Sequence, residues 1–394
     1  MPSHRILKTG LLAFVVLVLV GLGVFLSLPR FVDARLNAVS RPAPPPIGER
    51  ARALHQRLWI ADLHGDTLLW ARDLAHAHGY GHIDLPRLRQ GHVALQVFST
   101  VTKVPRGLNF DHNPADSDVI TALVMAERWP VRTWGSLLER ALYQGQKLHE
   151  AAAASDGALR IVTSRAELAA ALQAGAAYSG PERPVIALLS TEGLHPLEGR
   201  LENLDRMYRA GFRLAGITHF FDNELGGSAH GMAKGGLTPF GREVVQQMEA
   251  RRMLVDLAHA SPRVIDDVLA MAHRPVLVSH TGVQATCPGP RNLSDAHIRG
   301  IAATGGLIGI GYFDGAVCAL DVAAIVRAMR HVADLVGVEH VALGSDFDGA
   351  VTTPFDASGI AAITQGLLDA GFSEPQVAAI MGGNVQRFLL DNLP

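Results

Sequence analysis

A barrel of eight βα units, a (β/α)8 fold of the α/β class, is what this sequence predicts, and three observations predict it. Eight short runs rich in Val, Ile and Leu recur along the chain, separated by longer stretches with apolar residues every three or four positions. Most runs are continuously apolar rather than alternating, as in strands covered on both faces. The units occupy about 340 residues, inside the roughly 200 to 400 that such barrels use. A doubly wound open sheet is the other arrangement with the same rhythm.

The chain has 394 residues, 48% hydrophobic and 18% charged, which is enough to bury a large core. Its formal charge of −2 and lack of any long basic run exclude a nucleic-acid partner. Eighteen histidines point toward metal or proton chemistry. Two cysteines, Cys287 and Cys318, are too few for a cysteine-ligated zinc site or a disulfide scaffold and leave room for one disulfide.

Taken in order, residues 1–10 form a short basic N-terminus with Arg5 and Lys8. Residues 11–28 are an apolar run broken only by Gly and one Ser, long enough for a transmembrane anchor. A cleaved signal sequence is the alternative, but Pro29-Arg30-Phe31 follows where a small-x-small site would stand. Residues 29–46 read as a linker, with RPAPPP at 41–46 an extended spacer. The folded domain, 47–394, is then expected outside the cytoplasm, on the periplasmic or cell-surface side. Arg30, Arg35 and Arg41 on the far side of the apolar run blunt the positive-inside argument.

The strands are expected at 58–64, 93–99, 185–191, 214–219, 254–259, 276–280, 307–313 and 341–346. Helical spacing falls between them, for example at 201–210, 241–252 and 322–336. Ser261-Pro262 has a capping serine before a proline at the first helical position. Residues 100–183 read as a mostly helical insertion after the second strand, with helix-compatible stretches at 116–154 and 165–174 and a loop at 109–118 near the barrel mouth.

Barrel enzymes carry their chemistry at the carboxyl ends of the strands. Here those ends carry His64 and Asp66, Glu192, His219, His259, His280 and Asp346. Such a ring suits hydrolysis on paired divalent metals, because imidazole and carboxylate are zinc ligands and one carboxylate can bridge two ions. In an extended strand His64 and Asp66 share a face. Asp346 and Asp348 do too, and Asp346 is the preferred acid/base of the two. Asp62, on the face of His64, suits either a supporting partner of the site or a buried structural carboxylate.

The motifs ADLHGDT, LLSTEG, GITHFFDNE, VDLAHAS, LVSHTG, GPRN and LGSDFDG stand in order across residues 55–392. Together they resemble the membrane (renal-type) dipeptidase family, the M19 zinc peptidases, with GGSAHG and KGGLTPFG closer to bacterial members. The resemblance implies a binuclear zinc site on a (β/α)8 barrel: His64 and Asp66 on one Zn2+, His259 and His280 on the other, Glu192 bridging. It implies that His219 contacts the substrate and polarises the scissile carbonyl or its tetrahedral intermediate. Asp346 would handle the proton of the attacking water and the departing amine. Arg291 of GPRN would pair with the substrate carboxylate, a bidentate task for a guanidinium.

The same resemblance implies a disulfide between Cys287 and Cys318, two buried thiols being the alternative. The activity expected is hydrolysis of small dipeptides, C-terminal D-residues included, with the membrane as a second partner and a homodimer as the assembly. Two other readings remain beside it: a metal-dependent amidohydrolase acting on N-acyl amino acids or lactams, and a non-catalytic surface protein keeping the barrel. The loops HFFDNELGGSAHG and GYFDGAVC depart from the mammalian pattern, so side-chain preference does not carry over.

Overall fold

The computed structural model describes residues 3–41, 43–178 and 180–394. Met1 and Pro2 of the expected basic N-terminus, Pro42 of the expected spacer and Ser179 of the expected insertion lie outside the described residues. Nine parallel strands are described: β1 (Ile60–Asp62), β2 (Val93–Phe98), β3 (Leu159–Ile161), β4 (Val185–Thr191), β5 (Phe212–Gly216), β6 (Leu254–Asp256), β7 (Leu277–Thr281), β8 (Leu307–Ile310) and β9 (Val341–Leu343). Neighbours run in the order β2-β1-β9-β8-β7-β6-β5-β4, and a further pairing of β2 with β4 closes the circle. The eight-stranded barrel is therefore present, and each of the eight expected runs contains or overlaps one of its strands.

Strand β3 was not expected. It joins Leu159–Ile161 to Val185–Ala187 of β4 and lies inside the segment read as an insertion. Three residues, with Leu159 buried and Arg160 exposed, carry too little periodicity to separate a strand from a turn. The rest of that segment holds helices Ile120–Ala126, Leu137–Ala154 and Arg165–Gly175. Buried Arg140 ties it together, donating to Thr102 O (2.7 Å), Thr133 O (2.8 Å) and Asp118 Oδ2 (2.6 Å).

Local chemistry sets the helix starts. Ser261 Oγ accepts from Val264 N at 3.1 Å with Pro262 in the first turn, as its sequence signature requires. Asp321 caps helix Val322–Val336 through Ala324 N at 2.8 Å. The last helix, Asn384–Asn392, lies across the amino ends of the strands. Asn384 Nδ2 donates to Val341 O at 2.9 Å, and Arg274 Nη2 donates to Asn392 O at 2.8 Å just before β7. Val385, Phe388 and Leu389 join Leu254, Leu277 and Leu307 in one apolar cluster, which closes that end and leaves the carboxyl end for the site. Cys287 and Cys318 are joined by a disulfide, which ties the loop after β7 to the short helix Asp314–Val317 that follows β8.

Among the described residues one helix is long and apolar enough to cross a membrane, by length and composition only. It does not stop at Leu28. The helix runs from Ser3 through Pro29 to Leu36, so the first part of the segment read as linker is helical. The reason is long-range: Asp33 on its last turn and Asn37 just past its end are buried against the barrel. Arg72 Nε lies 2.8 Å from Asp33 Oδ2 while its Nη2 lies 2.7 Å from Asp348 Oδ1. Asn37 Oδ1 accepts from Ala350 N at 2.9 Å, and Ser40 N donates to Thr353 O at 2.8 Å. The helix end is thereby stitched onto the loop after β9. Arg72→Ala strands two buried carboxylates, a change that costs about 3–5 kcal/mol. We expect a clearly lowered melting temperature by circular dichroism; an unchanged one would mean the two ion pairs contribute nothing.

Candidate metal centre

The strand ends deliver their groups in different ways. Regular pairing of β1 stops at Asp62, yet Gly65 still bridges Phe347 and Asp66 N donates to Phe347 O at 2.9 Å, which holds this stretch against the loop after β9. His64 Nε2 consequently lies 3.2 Å from Asp66 Oδ2. Glu192 follows β4 directly, and His280 lies within β7. His259 and Asp346 each stand three residues past a strand, both at φ 63°. Left-handed backbone is unfavourable for these residues and persists only where neighbours fix it. Ala229 N donates to His259 O at 2.8 Å, and Gly349 N to Asp346 O at 3.1 Å.

The groups converge on Glu192. Its Oε1 lies 2.9 Å from His259 Nε2, 3.1 Å from His280 Nε2 and 3.6 Å from His64 Nε2, and its Oε2 lies 3.1 Å from His219 Nε2. His64 Nε2 is also 3.9 Å from Asp346 Oδ1. Burial pushes the Glu192 carboxyl well above the usual range and holds His219, His259 and His280 well below theirs, so these imidazoles are neutral. His64 is the exception: burial opposes its charge, but Asp66 and Glu192 outweigh burial and hold it up at about 10. Burial also pushes the Asp346 carboxyl up to about 7.

The residues fit a divalent metal. His259 Nε2 and His280 Nε2 lie 3.0 Å apart and 2.9 and 3.1 Å from Glu192 Oε1, so two ring nitrogens and a carboxylate oxygen converge on one buried point. Asp66 Oδ1 is buried without a protein partner. Three overlapping trios can each hold an ion: His64, Glu192 and His280; Glu192, His219 and His259; His64, Asp66 and Asp346. Imidazole with carboxylate suits zinc among the divalent ions.

All eight residues expected at the site lie together. Arg291 lines the same cavity of about 380 Å³ as Asp66, Glu192, His219, His259 and Asp346. Its Nη2 donates to His280 O at 2.9 Å, and its Nε has no protein partner. Asp348 turns away from the cluster and accepts from His82 N (2.7 Å) and Ile83 N (3.1 Å) beside Arg72. Strand alternation alone would have kept it beside Asp346; the left-handed turn at Asp346 and Asp348 separates them. Asp62 accepts from Ser345 N at 2.8 Å and lies 2.5 Å from Ser345 Oγ, so it fixes the residue before Asp346.

Sequence reasoning passed over Ser279. Its hydroxyl lies 2.9 Å from His280 Nδ1 and 3.3 Å from His64 Nδ1, orienting two rings stacked 3.8 Å apart. A serine before a histidine has no distinguishing signal, and this one counts only because β1 comes near β7 across the barrel. The N-terminal helix was missed as well: Val32 and Leu36 line the same cavity.

A parallel barrel whose strand ends bring four imidazoles and three carboxylates to one buried point belongs to the class of barrel metallohydrolases. The chain belongs to the membrane dipeptidase family, peptidase family M19, whose profile matches residues 48–391. It is 29% identical to "Dipeptidase aclJ" of Aspergillus oryzae over 85% of this chain and 78% of that protein. With "Dipeptidase tcpJ" of Claviceps purpurea the figures are 30%, 78% and 69%. Among solved structures, the probable dipeptidase PvdM of Pseudomonas aeruginosa superposes with a TM-score of 0.71 at 19% identity, covering 88% of this chain and 98% of that one. A metallopeptidase of Rhodobacter sphaeroides, bound to a phosphinate mimic of the dipeptide L-Ala-D-Ala, superposes at 0.67 with 21% identity, covering 86% and 99%. These two likenesses establish the fold.

Proposed function

We propose that this protein is a zinc-dependent dipeptidase acting on small dipeptides, those with a C-terminal D-residue included, outside the cytoplasm and held to the membrane by its N-terminal helix. The observation that carries the reading is Glu192: three imidazole Nε2 atoms within 3.6 Å of one carboxylate oxygen, in a cavity that also holds Arg291. His64 and Asp66 would hold one zinc, His259 and His280 the second, with Glu192 shared. Bound divalent ions supply a water of lowered pKa and polarise the carbonyl it attacks.

The chain's own residues do the rest. Arg291, with Nε free of protein partners, takes the substrate carboxylate and sets the register of the peptide bond. Asp346, with its carboxyl near neutrality, accepts the proton of the water and returns it to the departing amine. His219 donates to the oxygen that gains charge as the tetrahedral species forms. The Cys287–Cys318 disulfide supports placing the barrel in an oxidising compartment. The buried partners of Asp33 and Asn37 support an uncleaved helix continuous with the fold.

A panel of dipeptides, with L- and D-residues at the carboxyl end, tests the reading with and without chelator. We expect turnover that chelator abolishes and zinc restores, and none once the substrate's amino group is acetylated. Equal turnover of the acetylated substrates would move the activity to N-acyl amino acids. Turnover that survives chelator would remove the metal.

A further inference from the structure

The cavity above the metal cluster has two unlike halves. Its floor is polar, formed by the groups already described. One wall is apolar and part of it comes from the N-terminal helix: Phe25, Leu28, Val32 and Leu36, spaced to lie on one face of that helix, line the cavity. Leu69, Trp70 and Leu123 continue the wall, and Val32 and Leu123 pack against a small apolar cluster built on Leu69 and Trp70, separate from the barrel core. This wall is not a chance approach of a mobile anchor. The adjoining side of the same helix is fixed by the Asp33–Arg72–Asp348 ion pairs, and Asn37 holds the chain just past its end.

The position of the wall decides what it meets. Its barrel residues follow β1 and β2, and Val351 after β9 extends it. In the closed strand order, β7 is four strands from β2 in either direction, hence opposite it. Arg291 lies in the loop after β7. A dipeptide with its carboxylate at Arg291 and its peptide bond over Glu192 therefore points its amino-terminal residue at the apolar wall.

We infer that the N-terminal helix is part of the substrate site as well as an anchor: its face from Phe25 to Leu36 forms a subsite for a large apolar side chain on the amino-terminal residue of the dipeptide. The inference rests on the dipeptidase reading and deepens it. The preferred substrates are amphiphilic dipeptides, whose apolar end the helix receives near the membrane surface while the carboxylate end reaches Arg291. A subsite of this kind discriminates by buried apolar area, and a lost contact of a few methylenes is worth roughly tenfold.

The test uses the full-length, zinc-loaded protein in detergent micelles and two substrate series: Leu-Ala, Phe-Ala and Gly-Ala, and Ala-Leu, Ala-Phe and Ala-Gly. The readout is the ratio of kcat/KM for the apolar member to that for the glycyl member. Val32→Ser is expected to lower the ratio about tenfold in the first series, through KM, and to leave the second series' ratio within about twofold. Leu28→Trp is the second variant. Leu28 is 45% exposed and so tolerates the change, and the indole narrows the subsite and lowers the first ratio for Phe-Ala more than for Leu-Ala. Ratios that stay put in both variants, or a change confined to the second series, overturn the inference while wild-type turnover still upholds the dipeptidase reading. No wild-type turnover of any member would overturn both.

Discussion

Asp346→Asn is expected to keep its metal and lose nearly all turnover, with kcat reduced by about 10²–10⁴-fold, the usual range for a general acid–base group. The substitution is nearly isosteric. It also suits the backbone, because residue 346 sits at φ 63° and asparagine is among the side chains that tolerate left-handed geometry best. Folding should therefore be intact. What changes is proton traffic: a carboxyl that burial pushes up to about 7 can take a proton from water and give it to an amine, and an amide can do neither. Metal retention separates this role from that of a ligand. Asp346 Oδ1 is 3.9 Å from His64 Nε2, the longest of the contacts around that ring, whereas Asp66 Oδ2 is at 3.2 Å. Elemental analysis beside steady-state kinetics decides the matter. Full turnover would move the proton role elsewhere, and a parallel loss of metal would make Asp346 a ligand.

The barrel and the grouping of the candidate site residues were legible in the sequence for one physical reason: both are written in local chemistry. A buried parallel strand is a run of Val, Ile and Leu, and a site at its carboxyl end is a His or carboxylate at the close of that run, as at Thr191-Glu192 and Ser279-His280. The features that stayed hidden depend on residues far apart in the chain. Asp33 looks like one more polar residue after an apolar run, and its burial depends on Arg72 and Asp348, which no local pattern connects to it. Strand β3 is a strand only because β4 lies beside it. Asp348 has the spacing of a site residue, and the left-handed turn that removes it from the cluster leaves no mark in the letters SDFDG.

Glu192→Gln is expected to weaken both metals at once and with them all turnover. The carboxylate is the one group within reach of every imidazole in the cluster, His259, His280 and His64 through Oε1 and His219 through Oε2. Replacing it with an amide removes the negative charge that two cations would share and turns one of its two acceptors into a donor aimed at the ring nitrogens that would bind them. Altering only the hydrogen-bond partner of a metal ligand costs about 10–100-fold in affinity, so loss of a shared ligand should exceed that. The apo fold should not suffer, because burial already disfavours the charged form of Glu192 and an amide relieves that penalty. The two effects separate in a melting experiment. Added zinc should raise the melting temperature of the parent protein and raise that of the variant far less, because a ligand stabilises only in proportion to its binding. A variant that loses one metal and keeps the other at full affinity would show that Glu192 serves a single ion. The bridge would then have to be sought in Asp66, whose Oδ1 is buried beside the cluster with no protein partner.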